Sequence, residues 1–476
     1  MNRSSYAPYA TPQFALLSEG QLEEIHFTTL EVLRRTGVRF HHQGALELLR
    51  RAGAFVDGNL VKFPASLVES ALASAPRRVV MCDRHGEPAM LLEGRRTYFG
   101  TGSDTLRLLD PVTGERRPWT TQDICDSYRL CDALPNIHFV MSNGIPSDVP
   151  EGISLYQWQY FHLLQNTTKP IVFVCNDYAD AANIIEMAGI VVGGKERLRE
   201  CPLLLLYSEP SSPLQQSETA IDKLLLMAET ATPVVHSPGP MMGATAPIHM
   251  AGGLVMSNAE ILSALVVHQL KNPGAPFVYG AGLHHMDMKS MQICYASPEF
   301  QLTKAAVAEL GRYYGLPTWG YAGCSDAKVM DEQAAAEAML SVIMAKLSGA
   351  NLIHDVGYME SGLTVSLEMI VLTDELVALA DHLIKGIQVN DETLCVDVLH
   401  QVGPGGNFLA HPSTVAHFRD FWFPSLSDRY TYEDWAGRGR QDMFQRLNQR
   451  VRDILATHQP EPLPKETVER MRAVIA

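Results

Sequence analysis

Apolar residues in this chain gather in eight short continuous runs, and between most of them lies a stretch long enough for a helix. The runs are Tyr98–Gly102, His138–Asn143, Ile171–Asn176, Leu203–Glu209, Val234–Ser237, Phe277–Gly282, Pro317–Gly323 and Leu352–Tyr358. A run without alternation suits a strand buried on both faces, as in a parallel sheet. Eight strand–helix units at intervals of roughly 30–45 residues fill the ~250 residues that a barrel of this kind needs. The pattern predicts an α/β fold, a TIM (β/α)8 barrel over residues 96–390. Chemistry in such barrels sits at the C-terminal ends of the strands. The residues that close each run are therefore the first candidates for a site.

The flanking segments read differently. Residues 1–95 form a helical N-terminal cap with a small hairpin. Ser18 followed by Gln21 is a capping-box pattern, and Leu22, Ile25, Thr29, Val32 and Leu33 recur at helical spacing until Gly37. Further helices are expected over Gln43–Arg51 and between Pro64 and Pro76, with a hairpin of Val79–Met81 and Met90–Leu92. Inside the barrel, helices are expected over Thr121–Leu134, Asp331–Leu347 and Ser366–Ile384. Residues 391–476 are expected as a C-terminal extension packed on the barrel, with a charged helix near Gln441–Leu455.

Composition narrows the class. With 476 residues, 46% hydrophobic and 19% charged, the chain can bury a large core. A formal net charge of −15 argues against a nucleic-acid surface and a basic membrane face. The eight cysteines contain no CxxC pair and are expected mostly as reduced, buried thiols. Met1–Phe14 has no apolar leader core, and no uncharged apolar stretch is long enough to span a bilayer. A cytoplasmic homo-oligomer is the expectation.

Aromatic residues cluster at the strand ends: Tyr98, Phe99, Tyr207, Tyr279, Trp319, Tyr321 and Tyr358. Rings around one mouth can box a quaternary ammonium group, each contributing about 0.5–2 kcal/mol to a desolvated cation. Polar groups stand beside them in Ser208-Glu209, His236-Ser237, His284-His285, Lys328 and His354-Asp355. No bound metal is expected: the first strand lacks HxH, HExxH is missing, and adjacent His284 and His285 point to opposite faces of a strand. Gly405-Gly406 does not follow a strand, so no dinucleotide site is expected. Lys328 is a possible Schiff-base lysine, although it stands five residues past Gly323 in an expected loop.

Several segments together resemble the trimethylamine methyltransferase (MttB-type) superfamily. They are Leu17-Ser18-Glu19 through Thr36-Gly37-Val38, Thr113 to Pro118, Leu134-Pro135-Asn136-Ile137 and Ser147 to Pro150. Gly243 to Pro247, Ser325-Asp326-Ala327-Lys328, Glu360-Ser361-Gly362 and Gly406 to Leu409 continue the match. The resemblance implies a barrel enzyme that moves a methyl group from a methylated amine to the Co(I) corrinoid (cobalamin) of a separate partner protein. It implies a pyrrolysine in the branch acting on trimethylamine, whereas this chain holds only the twenty standard residues. That departure points to the branch that resembles glycine betaine methyltransferases, releasing dimethylglycine.

On this reading Glu209 and His354 are the candidate catalytic residues. Tyr98, Tyr207, His236, Tyr279, Tyr321, Lys328 and Tyr358 are the candidates for substrate binding. Tyr98, Tyr279 and Tyr321 would cage the ammonium, and His354, His236 or Lys328 would hold the carboxylate. The alternatives are a Schiff-base lyase or aldolase barrel using Lys328, or a ligand-binding barrel without turnover.

Overall fold

The computed structural model describes residues 9–475, so the first eight of the residues read for a leader lie outside it. The eight runs form eight parallel strands that close on themselves. Tyr98–Thr101 pairs with Phe139 of the second run through Gly100, and Val140 pairs with Ile171 of the third strand, Ile171–Phe173. Leu204–Ser208, Val234–His236 and Phe277–Val278 follow in order, each parallel to the last. Tyr279 bridges to Thr318 beside the seventh strand, Trp319–Tyr321. The eighth, Leu352–Val356, pairs with both the seventh and the first, which completes the ring. A helix follows each strand, as in Glu218–Thr230 after the fourth and Leu367–Ile384 after the eighth.

The expected helices form where local chemistry starts them. Ser18 and Gln21 make the capping box of Glu19–Arg35, and helices Gln43–Arg51 and Ala65–Ser74 follow. These three cover one barrel helix, Met250–Lys271, which is mostly buried. That helix is long and apolar enough to cross a bilayer by composition. Its apolarity has a simpler cause, since it is packed by the barrel on one side and the cap on the other.

The hairpin Val79–Cys82 with Pro88–Leu92 seals the N-terminal end of the barrel. Val79, Met81, Met90 and Leu92 join Val172, Leu205, Val235, Val278 and Leu352 in the barrel interior. Backbone bonds from Cys82 to Pro202 and from Arg84 to Thr168, both 2.8 Å, tie it to segments that enter the strands. The hairpin assigned to the cap is thus the floor of the barrel. Most cysteines are expected reduced; six are free, while Cys82 is disulfide-bonded to Cys201.

The C-terminal extension divides in two. Helices Met443–Thr457 and Lys465–Ile475 pack on barrel helices, burying Leu447, Val451, Ile454 and Met471. Residues 389–440 hold no fully buried residue, and they touch the barrel through Leu426, which packs against the core, and the 425–427 backbone, which Glu375 holds.

Candidate functional site

Strand parity decides which side chains reach the barrel interior. On the fourth strand Leu205, Tyr207 and then Glu209 face inward. On the seventh Trp319 and Tyr321 do so, and on the eighth Leu352 is followed by His354. The rings form a continuous lining. Centroids lie 5.4 Å apart for Tyr207–Trp319, 4.3 Å for Trp319–His354 and 4.3 Å for His354–Tyr321. The lining continues through His284, 5.9 Å from Tyr321 and 5.1 Å from Tyr295, to Tyr358, 6.2 Å from Tyr295. Gly282 leaves room for it: a Cβ there would stand 2.7 Å from the Tyr321 hydroxyl.

The eighth strand carries an irregularity at its end. Its register shifts between Ile353 and Val356, and Asp355 adopts φ 75°. Asp tolerates this left-handed region better than most residues, and bulges of this kind re-aim side chains near active sites. Here Asp355 Oδ1 comes within 3.1 Å of His354 Nε2, although neighbours on a regular strand point apart. His354 Nδ1 donates to Gly320 O at 3.0 Å. Burial pushes the imidazole down to about 3 and the Asp355 carboxyl well above the usual carboxylate range. Burial thus disfavours the charged form of both groups.

Two further carboxylates stand at the mouth. The Tyr207 hydroxyl donates to Glu209, and burial pushes that carboxyl above its ordinary range even though its outer edge is open to solvent. Asp104, at φ 61° just beyond the first strand, accepts from the Tyr156 hydroxyl and from Ser142 Oγ, each at 3.3 Å. Burial raises its carboxyl to about 6. Lys223, whose Nζ donates to Cys175 O at 2.7 Å, is a cation whose field lowers both acids. Tyr156, Tyr207 and Tyr295 are half-buried, whereas Trp319, Tyr321, His354 and Tyr358 are buried behind them.

The remaining expected residues are elsewhere. Tyr98 lies at the floor, where its hydroxyl accepts from Leu91 N at 3.1 Å. Tyr279 points outward and donates to Asn258 on the covering helix at 2.9 Å. His236 also points outward, to Gln216 Oε1 at 2.9 Å. Lys328 is solvent-exposed and donates to Asp326 O at 2.7 Å, so it lacks the desolvated setting a Schiff base needs. Tyr321 is not a free cage wall, since its hydroxyl shares a 3.0 Å bond with Ser237. The Tyr358 hydroxyl donates to Ser103 O. His354 has no free donor for a carboxylate. Asp104, Tyr156 and Tyr295 escaped the sequence reading because they come from loops and loop helices, outside the apolar runs. Among the described residues no group of three or more metal-capable side chains stands together.

Similarity to known proteins agrees with the geometry. The solved monomethylamine methyltransferase of Methanosarcina barkeri superposes with a TM-score of 0.53 over 93% of this chain and 88% of that one, at 12% identity, and so shares the fold. The trimethylamine methyltransferase MttB of Desulfitobacterium hafniense (strain DSM 10664 / DCB-2) is 36% identical over 96% of this chain and 92% of its own. The glycine betaine methyltransferase of D. hafniense strain Y51 is 33% identical over 98% and 97%. The trimethylamine methyltransferase (MTTB) family model matches residues 3–476, and the chain is a methyltransferase belonging to that family.

Proposed function

We propose that this protein takes a methyl group from a quaternary amine of the glycine betaine kind and passes it to the Co(I) corrinoid of a separate carrier protein, releasing dimethylglycine. The observation that carries this reading is the anionic, ring-lined mouth: half-buried Tyr156, Tyr207 and Tyr295 beside Asp104 and Glu209. Aromatic faces and carboxylates together attract a cation too bulky to be hydrogen-bonded at nitrogen. The likeness to the glycine betaine methyltransferase and the lack of any residue beyond the standard twenty support the same class.

A quaternary nitrogen needs no acid. When the methyl carbon moves to Co(I), the C–N electron pair stays on nitrogen and leaves a neutral tertiary amine. The chain's task is to bind, align and exclude water. The cage favours the charged substrate over a transition state in which that charge is fading, so it serves affinity more than rate. Neutral His354, held by Gly320 and Asp355, acts as a positioning ring between Trp319 and Tyr321. Lys223 is our choice for the substrate carboxylate, because its ammonium spends one shown bond on Cys175 O and has further donors. The carrier has a place to sit: Ile248, Met288, Met291 and Val329 are exposed apolar residues in the loops above the strands. A reducing cytoplasm would protect its Co(I).

The experiment is a comparison of glycine betaine, choline and trimethylamine with reduced cobalamin, followed by loss of the Co(I) absorbance. Glycine betaine should turn over and yield dimethylglycine, with trimethylamine inert. Turnover of trimethylamine alone would overturn the proposal. Lys223→Met should raise KM for glycine betaine about tenfold, as expected for a lost bond to a charged group. It should leave choline unaffected.

A further inference from the structure

Three segments that stand out in the sequence, Thr113–Pro118, Ser325–Lys328 and Glu360–Gly362, contribute no ring or acid to the site. The fold nevertheless brings them together at its rim. Arg116 Nε donates to Glu360 Oε2 at 2.7 Å, and the Glu360 N–H donates to Ala327 O at 2.9 Å. Ser361 Oγ donates to Asp326 Oδ1 at 2.9 Å. Glu360, Ser361 and Gly362 adopt φ of 52°, 56° and 84° in succession. For the two that are not glycine this conformation is strained. It persists only where the surroundings hold it, and it clusters at functional sites.

Asp326 stands at the centre of this junction. Helix Glu332–Ser348 fixes it from behind, since Glu337 Oε2 accepts from Asp326 N at 2.9 Å and from Ser325 Oγ at 2.6 Å. Its carboxylate accepts the backbone N–H groups of Tyr295 and Ala296, each at 3.0 Å. Those residues end the hairpin of His284–Asp287 and Gln292–Cys294 that follows the sixth strand. The Tyr295 carbonyl accepts from Gln301 Nε2 at 3.1 Å, so both backbone groups of this residue are held. Its phenol lies over Gly362, where a Cβ would stand 3.2 Å from the hydroxyl. One carboxylate on the seventh loop thus fastens the sixth loop through two N–H groups and the eighth through Ser361. Bonds to a charged acceptor are the stronger kind.

We propose, on the reading of Tyr295 as a wall of the ammonium cage, that Asp326 is a positioning residue: it sets affinity for the methylated amine by holding that ring at the mouth. Tyr295 is half-buried and belongs to the lining, next to His284 and Tyr358. Attraction between a cation and a ring depends on where the ring face stands, so a wall whose backbone drifts loses affinity while the barrel stays whole. Because Asp326 acts through the ring, losing it cannot cost more affinity than losing the ring itself. The rate should change little, since the cage binds a charge that fades in the transition state.

The test is a double-mutant cycle on the full chain, with whichever of glycine betaine, choline and trimethylamine turns over. Tyr295→Leu should raise KM about 2- to 30-fold, and Asp326→Asn about three- to tenfold without exceeding it, with kcat within about twofold of wild type. In the Tyr295→Leu background, Asp326→Asn should add almost nothing. Hydrogen–deuterium exchange reads the clamp without substrate. The Tyr295 and Ala296 amides should exchange roughly tenfold faster in Asp326→Asn, while strand amides stay protected. Should that variant fail to fold, Ser361→Ala removes only the bond to the eighth loop, and its smaller rise in KM should likewise vanish in the Tyr295→Leu background. An equal rise in KM with and without Tyr295, or unchanged exchange at the two amides, would overturn the proposal. If none of the three amines turned over while those amides were released, the proposed function would fall and the hold of Asp326 on Tyr295 would stand.

Discussion

The inner and outer faces of the barrel carry the same residue types and use them differently. Outside, Tyr279 donates to Asn258, which in turn donates to Thr29 and Tyr314. His236 meets Gln216, whose amide donates to Glu260 O and Ser263. These polar groups bind each other and the cap and fasten helices to strands, with only the far ring nitrogen of His236, Nδ1, left unpartnered in the two networks. Inside, the groups are left open. Asp355 Oδ2 is buried without a partner, and Glu209 receives a tyrosine hydroxyl while its edge faces solvent. Buried polar groups fastened between helix and strand signal architecture, whereas carboxylates that face an open mouth signal a ligand.

Mutations on the two faces should separate accordingly. The largest effect is expected at Glu209→Gln, which keeps the shape and removes the charge. KM for glycine betaine should rise about 10- to 100-fold, the scale of a lost interaction with a charged group, with kcat changing less. Steady-state kinetics would check this, and an unchanged KM would remove Glu209 from the site. Next come Tyr207→Leu and Tyr295→Leu, each expected to weaken binding by about 0.5–2 kcal/mol. Tyr279→Phe is their outer-face control. It should leave KM and kcat alone while lowering stability by about 1 kcal/mol in urea unfolding.

A pH profile sharpens the contrast further. Asp104 is protonated below about 6 in the folded protein, so its charge and its attraction for an ammonium appear as pH rises through that value. KM should fall across the same window, and Asp104→Asn should shrink the step to the part that Glu209, also raised by burial, carries. The stability sign runs the other way. A carboxyl raised by burial stabilises the fold below its ordinary range, and that contribution disappears as pH rises through about 6. Asp104→Asn should therefore bind substrate less well and melt higher at pH 7. The smallest effect is expected from His354, held neutral by its low value of about 3, which should add no inflection between pH 5 and 9.

The eight strands were legible because a strand buried on both faces leaves an unbroken apolar run. The same property hid the parity. Without alternation, nothing in Phe277-Val278-Tyr279 or Leu205-Leu206-Tyr207 says which neighbour faces in, so Tyr279 and Tyr207 read alike. Tyr98 was misplaced for a different reason, since it begins its strand and therefore belongs to the floor. The His354–Asp355 pairing depends on a bulge and a positive φ, which an aspartate permits but does not announce. Asp104 and Tyr295 come from the loops, where no periodicity exists to be read.

The sealed floor has a consequence for traffic. With Val79, Met81, Met90 and Leu92 plugging one end, small molecules reach the rings through the mouth. On the proposed function the carrier covers that same opening. Amine must then board first, the carrier second, and demethylated product must wait until the carrier departs. Such a queue shows itself in the rate law: excess carrier should slow turnover at low amine, by shutting the door on an empty room.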